Sequence, residues 1–350
     1  MSCALRVERH FLNSRAEPGA LVDVARRLCG LHAQVLSAAD LQLWARVRDH
    51  GRDDLASALW EDRVLVKTWL MRGTLHAVPA EDLPLYVGAL DNRGEYAGAW
   101  LRAFETTAKE MERLIDAVRD ALDGACLTRA ELIAAVAPKV GKSAAKRLSS
   151  GWGEFLKPAS RRGVLCFGPS RGQNVTFVRP DQWTGGWRTF ERDEARTELL
   201  RRFLSSFAPV SADDYERWLG SVRRVREPWD ALADELVEIE PKRFVLAADV
   251  EKLSARPKGV NVLGGFDPYV LFPHNDRPVP TEHRDRVYRT AGWISQVIVV
   301  RGRAVGVWTH RKKGGTLQLA LEPFAPLSAA TARAVERELD SFAAFLGARR

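Results

Sequence analysis

Three times in the first 258 residues the same order of elements returns: segments of helical spacing, then two short strand-like runs closed by a tight turn. In the first copy, residues 21–30, 38–47 and 53–60 space their apolar side chains as helices do. Residues 64–70 and 75–78 then alternate as strands about Met71-Arg72-Gly73-Thr74. In the second, a helix over 107–122 precedes Thr128-Arg129-Ala130-Glu131, a capping-box sequence in which the hydroxyl caps the next helix and the carboxylate reaches back. That helix runs over 132–140, another follows at 152–160, and 163–167 with 174–178 predict a hairpin. The third copy has helices at 191–207, 211–219 and 228–236, and strands at 237–239 and 244–247 across Glu240-Pro241-Lys242-Arg243. The period is one of structure, because the three stretches are not visibly alike in sequence.

Helices followed by a hairpin are the order of elements in a winged helix. The expected fold is α+β: three tandem winged-helix units at 1–104, 105–186 and 187–258, then a β-rich antiparallel scaffold and a final helix over 259–350. In that last part 264–269 reads as a turn, 294–300, 304–308 and 316–321 as strands of a small sheet or partial barrel, and 328–346 as an amphipathic helix. With 350 residues, 46% of them hydrophobic, the chain can bury a substantial core in two or three domains.

The net charge of +8 favours an acidic polymer or surface as partner. Arginine far outnumbers lysine; coding bias accounts for that, and so does the fit of a planar guanidinium to phosphate. Basic residues concentrate at Lys139, Lys142, Lys146, Arg147, Lys157, Arg161, Arg162 and Arg171, with Glu154 the one acid among them. On a winged helix such a face makes phosphate contacts and releases condensed counterions; the alternative is a solvated basic face. Arg311, Lys312 and Lys313 lie between two strands, at a hairpin tip that could enter a groove or be a plain charged turn.

Four well-separated cysteines, Cys3, Cys29, Cys126 and Cys166, suggest neither a disulfide scaffold nor a thiolate zinc site. His274, His283 and His310 lack the spacing of a metal site, so no metal or cofactor is expected. Val140-Gly141-Lys142-Ser143 fails as a phosphate-binding loop, because Val136 stands where a glycine is required. No apolar run reaches the ~20 residues of a spanning helix, and the charged start, Arg6, Glu8 and Arg9, is not a secretory signal. The expectation is a cytoplasmic, nucleoid-associated protein with no membrane partner.

Chemistry points to Gly30-Leu31-His32-Ala33-Gln34, which sets an imidazole and a carboxamide two positions apart in an apolar stretch near a helix end. Residues i and i+2 of a helix point about 200° apart, so the two heads share one space only if the helix ends or bends there. Such a pair can hold a water; the alternative is two satisfied polar residues at a helix boundary.

Taken in order, Gly30-Leu31-His32-Ala33-Gln34, Trp44-Ala45-Arg46, the hairpin from Trp69 to His76, Phe266-Asp267-Pro268-Tyr269, and Tyr288-Arg289 with Gly292-Trp293-Ile294 make the chain resemble the AlkZ-like winged-helix family of bacterial alkylpurine DNA glycosylases. The likeness runs over nearly the whole chain. It implies a basic channel for duplex DNA and a catalytic glutamine-aliphatic-glutamine or glutamine-aliphatic-aspartate motif. His32, Ala33 and Gln34 stand at those positions, so His32 and Gln34 are the expected catalytic residues. Trp44, Arg46, Arg72 and His76 are expected to support them. Histidine in the first position resembles relatives that act against pluramycin-type antibiotics such as hedamycin, and weakens azinomycin cross-links as the substrate.

An N7-alkylated guanine already carries positive charge and leaves neutral, so the enzyme has to place a water at C1′ and stabilise an oxocarbenium-like sugar. Gln34 can orient that water, and a neutral imidazole, ordinarily titrating near ~6.5, can accept its proton. No lysine adjoins the motif, so hydrolysis without a Schiff base is expected. The resemblance favours a monomeric, monofunctional glycosylase for bulky N7-alkylguanine adducts, in antibiotic self-resistance or alkylation repair. The alternative is a non-catalytic winged-helix DNA-binding protein or regulator, although regulators usually carry one recognition unit per protomer and dimerise.

Overall fold

The computed structural model describes residues 2–90, 96–220, 226–254, 256–272 and 278–349; His274 lies outside them. The chain forms two compact units, one of Met1–Leu55, Leu200–Trp218 and Trp229–Arg350, the other of Ala56–Leu199 and Leu219–Pro228.

In the second of these, Leu65–Trp69 pairs antiparallel with Leu75–Pro79, placing Thr68 opposite His76. The turn between them is tight because Arg72 and Gly73 both take positive φ, 56° and 65°. The Ala108–Ala121 helix starts at a capping box of Thr107 and Glu110, and the Arg129–Val140 helix at the expected one of Thr128 and Glu131. Cys166–Arg171 and Asn174–Val178 form the predicted hairpin, and Leu127–Thr128 adds a third strand beside the latter. Leu114, Val118, Leu132, Val136, Leu156 and Phe177 fill the core beneath.

The helix expected over 152–160 is shorter, only Lys157–Arg161. Gly153 stops it from starting earlier: it takes φ 70° and lies so close to the Trp69 indole that a Cβ would come within 2.6 Å of Cζ2.

In the first unit, the hairpin of Leu236–Glu240 and Arg243–Leu246 matches the third predicted pair. The C-terminal strands form an open four-stranded antiparallel sheet, not a barrel, in the order Thr316–Pro323, Arg303–Lys313, Gln296–Val300, Val260–Leu263. Val297 faces Val307 on one side and Leu263 on the other. The Ala329–Phe345 helix, capped by Ser328, lays Val335, Leu339 and Phe342 into the core that holds Trp308 and Val297. Residues 264–269 are a turn only in part, since Asp267 accepts a hydrogen bond from the Tyr269 amide and caps a short helix, Pro268–Leu271. No helix among the described residues is long and apolar enough to cross a membrane.

Candidate active site

The His-Ala-Gln segment leaves helical geometry before it begins. The Leu21–Arg27 helix ends in a turn where Cys29 and Gly30 take φ 54° and 99°, and the chain then extends as the short strand Leu31–His32. Ala33 and Gln34 lead through a bend into the Leu36–Trp44 helix. The helix thus ends before the pair, which is one of the two cases in which helical spacing lets the two polar heads share one space. The two differ in access: His32 is 6% exposed, whereas Gln34 is open to solvent.

A chain of buried polar groups holds the backbone of His32. The Gln42 carboxamide, fully buried two residues before the end of its helix, pairs reciprocally with it. The His32 N–H donates to Gln42 Oε1 and Gln42 Nε2 donates to the His32 carbonyl, both at 3.0 Å. One helical turn on, Arg46 Nη1 donates to the Gln42 carbonyl at 3.0 Å. The same guanidinium grips Asp267 with two parallel bonds of 2.8 and 2.7 Å. Both side chains of that ion pair are 0% exposed. Buried charges are tolerable only when paired and hydrogen-bonded, and here the fork geometry and the Tyr269 amide on Asp267 supply those bonds.

Phe266, the residue before Asp267, lies face to face with the His32 imidazole, centroids 5.2 Å apart and planes 6° from parallel. It reaches that position with φ 58°, a left-handed conformation costly for a bulky residue and held here by its neighbours. Two residues earlier, Gly264 packs directly on Leu41, where a Cβ would meet Leu41 Cβ at 2.8 Å. Phe266 also packs against Trp293 in a T-shaped pair, centroids 5.0 Å apart, and Trp293 is 54% exposed. A pocket of about 720 Å³ opens from this point, walled by Val35, Leu41, Phe266, Trp293, Arg289 and His310 among others. No lysine lines it among the described residues.

The remaining sequence-predicted residues fall into distinct settings. Trp44 is buried and packs edge-on against Phe342 at 5.2 Å, so it supports the helix from behind. In the other unit, His76 Nδ1 lies 3.0 Å from the Thr74 carbonyl and Nε2 lies 3.4 Å from Arg72 Nη2. Burial pulls the Arg72 guanidinium down to about 10.

Of the basic cluster, Lys142 and Lys146 are exposed, as are Lys139 and Arg171, which pair with Asp120 and Glu131. Arg147 donates to the Glu105 carbonyl at 2.9 Å. Lys157 lies along Gly73, its Cδ 3.3 Å from where a Cβ would be, and Arg161 is half-buried. Arg162 corrects the expectation of a phosphate contact: it is buried, and both its terminal nitrogens are held by Glu112 at 2.5 and 2.7 Å. Arg311, Lys312 and Lys313 are exposed at the expected hairpin tip, Lys312 reaching the Leu346 carbonyl at 2.6 Å.

Sequence reasoning gave no role to Gln42, Phe266, Asp267 or Trp293. Gln42 left a trace, a carboxamide between two leucines and four residues before Arg46 on a helix otherwise apolar at those positions.

Comparison with known proteins accords with this construction. A family model described as DNA glycosylase AlkZ-like matches residues 25–345. The interstrand DNA cross-link repair glycosylase of Streptomyces sahachiroi is 38% identical, with 96% of this chain and 93% of that protein covered. The solved structure of the Streptomyces sahachiroi DNA glycosylase AlkZ superposes with a TM-score of 0.89 at 36% identity, covering 100% of this chain and 96% of that one. The chain belongs to the AlkZ-like family of DNA glycosylases and is an enzyme of that class.

Proposed function

We propose that this glycosylase hydrolyses the N-glycosidic bond of bulky N7-alkylguanine adducts in duplex DNA, as a monomer in the cytoplasm. Its role would be self-resistance to a pluramycin-like alkylating natural product, or alkylation repair. The observation that carries the reading is the fixing of His32 between the Gln42 carboxamide and the Phe266 ring, with Gln34 two residues on and open to solvent. Gln34 orients a water through its amide oxygen. The water oxygen bonds to C1′ as the C1′–N9 bond breaks. The bonding pair goes to the base and cancels its positive charge, and the water's proton passes to the His32 imidazole. Among the described residues no lysine lines the pocket, in keeping with hydrolysis without a covalent imine.

We read the recurring order of helices and hairpin as three tandem winged helices, 1–104, 105–186 and 187–258, ahead of the scaffold at 259–350. The sheet in which Leu127–Thr128 joins the hairpin supports this for the second. The exposed Lys139, Lys142, Lys146 and Arg171, with Arg147, Lys157 and Arg161 near them in sequence and Arg311, Lys312 and Lys313 at the hairpin tip, are the proposed phosphate contacts. Incubation with duplexes carrying defined N7-guanine adducts, followed by detection of the free base, tests the reading. Release of alkylguanine, with no protein–DNA adduct trapped by borohydride, is expected. No release from any adduct refutes it.

A further inference from the structure

The pocket beside the motif is far larger than the step at C1′ requires. At about 720 Å³ it falls in the range of sites that enclose a drug-sized molecule. Its walls are of two kinds. Phe266, Trp293 and Leu41 offer flat and apolar surface, and Trp293 stays half-exposed with its ring at the rim. The lining also carries hydrogen-bond donors. Arg289 is exposed, and its guanidinium has no hydrogen bond or ion pair among the described residues. Gln296 Nε2 donates to His310 Nδ1 at 3.1 Å, which leaves the proton of a neutral His310 ring on Nε2.

The pocket also shares a wall with the motif. Phe266 stacks on His32 and also packs against Trp293, and Val35 lines the pocket next to Gln34. A molecule seated there lies one ring away from the imidazole.

We infer that this pocket receives the planar, polycyclic body of the alkylating compound, with carbonyl or phenolate oxygens turned to Arg289 and His310, while the alkylated guanine stays at His32 and Gln34. The inference rests on the glycosylase reading above and names the part of the substrate that reading leaves unplaced. Aromatic walls favour a flat ring system. The two carboxylates of the lining, Asp40 and Glu322, are engaged by His50 and Arg286, so the free Arg289 guanidinium and the imidazole N–H favour oxygen acceptors over a cationic arm.

Two measurements on the full-length protein separate this inference from the reading beneath it. The first, without DNA, is calorimetric titration with anthraquinone-2-sulfonate, a flat, oxygen-bearing anion that does not alkylate. Saturable binding at one site is expected, weakened about tenfold in Trp293→Ala, the size expected from losing one aromatic partner, and weakened also in Arg289→Ala. The second is single-turnover release of N7-methylguanine and of an N7-guanine carrying a polycyclic arm. In Trp293→Ala the ratio of the two rates, polycyclic over methyl, should fall about tenfold. If wild type binds the probe through Trp293 and Arg289 yet releases neither base, the pocket stands and the substrate reading falls. If both bases are released but neither the ratio nor probe binding changes in either variant, the pocket assignment is overturned. Unchanged melting temperatures show that the variants are folded, which the exposure of both side chains favours.

Discussion

Replacing Gln42 by leucine removes the carboxamide that brackets His32 and leaves the volume nearly the same. In the native protein that amide accepts from the His32 N–H and donates to its carbonyl, both at 3.0 Å in a fully buried setting. A buried backbone group that loses its partner costs about 1–3 kcal/mol, so two cost roughly 2–6 kcal/mol. The variant also no longer has to desolvate its own amide, which places the expected loss in the lower half, about 2–4 kcal/mol. Urea unfolding followed by circular dichroism should show a lower midpoint with an unchanged slope. Activity should fall by more than stability explains. With the bracket on the His32 backbone gone, the imidazole can move by an ångström, and misplacement of that size costs about 10²-fold in rate. Single-turnover excision in buffer where the variant is still fully folded isolates that loss. A Gln42→Leu protein within about 0.5 kcal/mol of wild type and excising at the wild-type rate would refute the bracket as the device that positions the motif.

Further outcomes follow from other parts of the molecule. Asp267→Ala leaves the Arg46 guanidinium buried and uncompensated, which costs about 3–5 kcal/mol; Arg46→Met combined with Asp267→Leu should recover much of that in a double-mutant cycle. Lys142→Ala and Lys146→Ala should each lower the slope of log affinity against log salt by about 0.9 if each cation neutralises one phosphate. Arg162→Ala should destabilise the fold, because it removes the two bonds to Glu112 and the one to the Tyr96 hydroxyl, and leave the salt slope alone. Burial, with Arg46 and Arg6 nearby, holds the fully buried His10 well below the ordinary imidazole range. The unfolded chain therefore takes up a proton first as the pH falls. The stability this group contributes is complete above about 6.5 and is lost below it, down through the folded value. His10→Gln should flatten the dependence of the urea midpoint between about pH 7 and pH 5, and an unchanged slope there would assign the acid lability to other groups.

Much of the architecture was legible because its signals are local. The capping box at Thr128, the hairpin at 166–178, and the helix opened by Ser328 all depend on residues within a few positions of one another. The site was legible only in part. The His-Ala-Gln segment stood out as polar residues in an apolar stretch, but its conformation turned on positive φ at Cys29 and Gly30, which helical spacing does not report. Asp267 and Phe266 meet Arg46 and His32 across more than 220 residues, a long-range pairing that periodicity cannot reveal. Arg162 read as a surface cation for the same reason, since its partner Glu112 lies 50 residues away.

The central claim is that Gln34 and His32 act together on one water. Its most direct test is single-turnover release of modified guanine from a defined duplex at saturating enzyme, comparing wild type with His32→Ala, Gln34→Ala and the double variant. The account predicts a loss of roughly 10²- to 10⁴-fold for each alanine, with DNA affinity unchanged, and a double variant little slower than the worse single one. Wild-type rates in both single variants would contradict it.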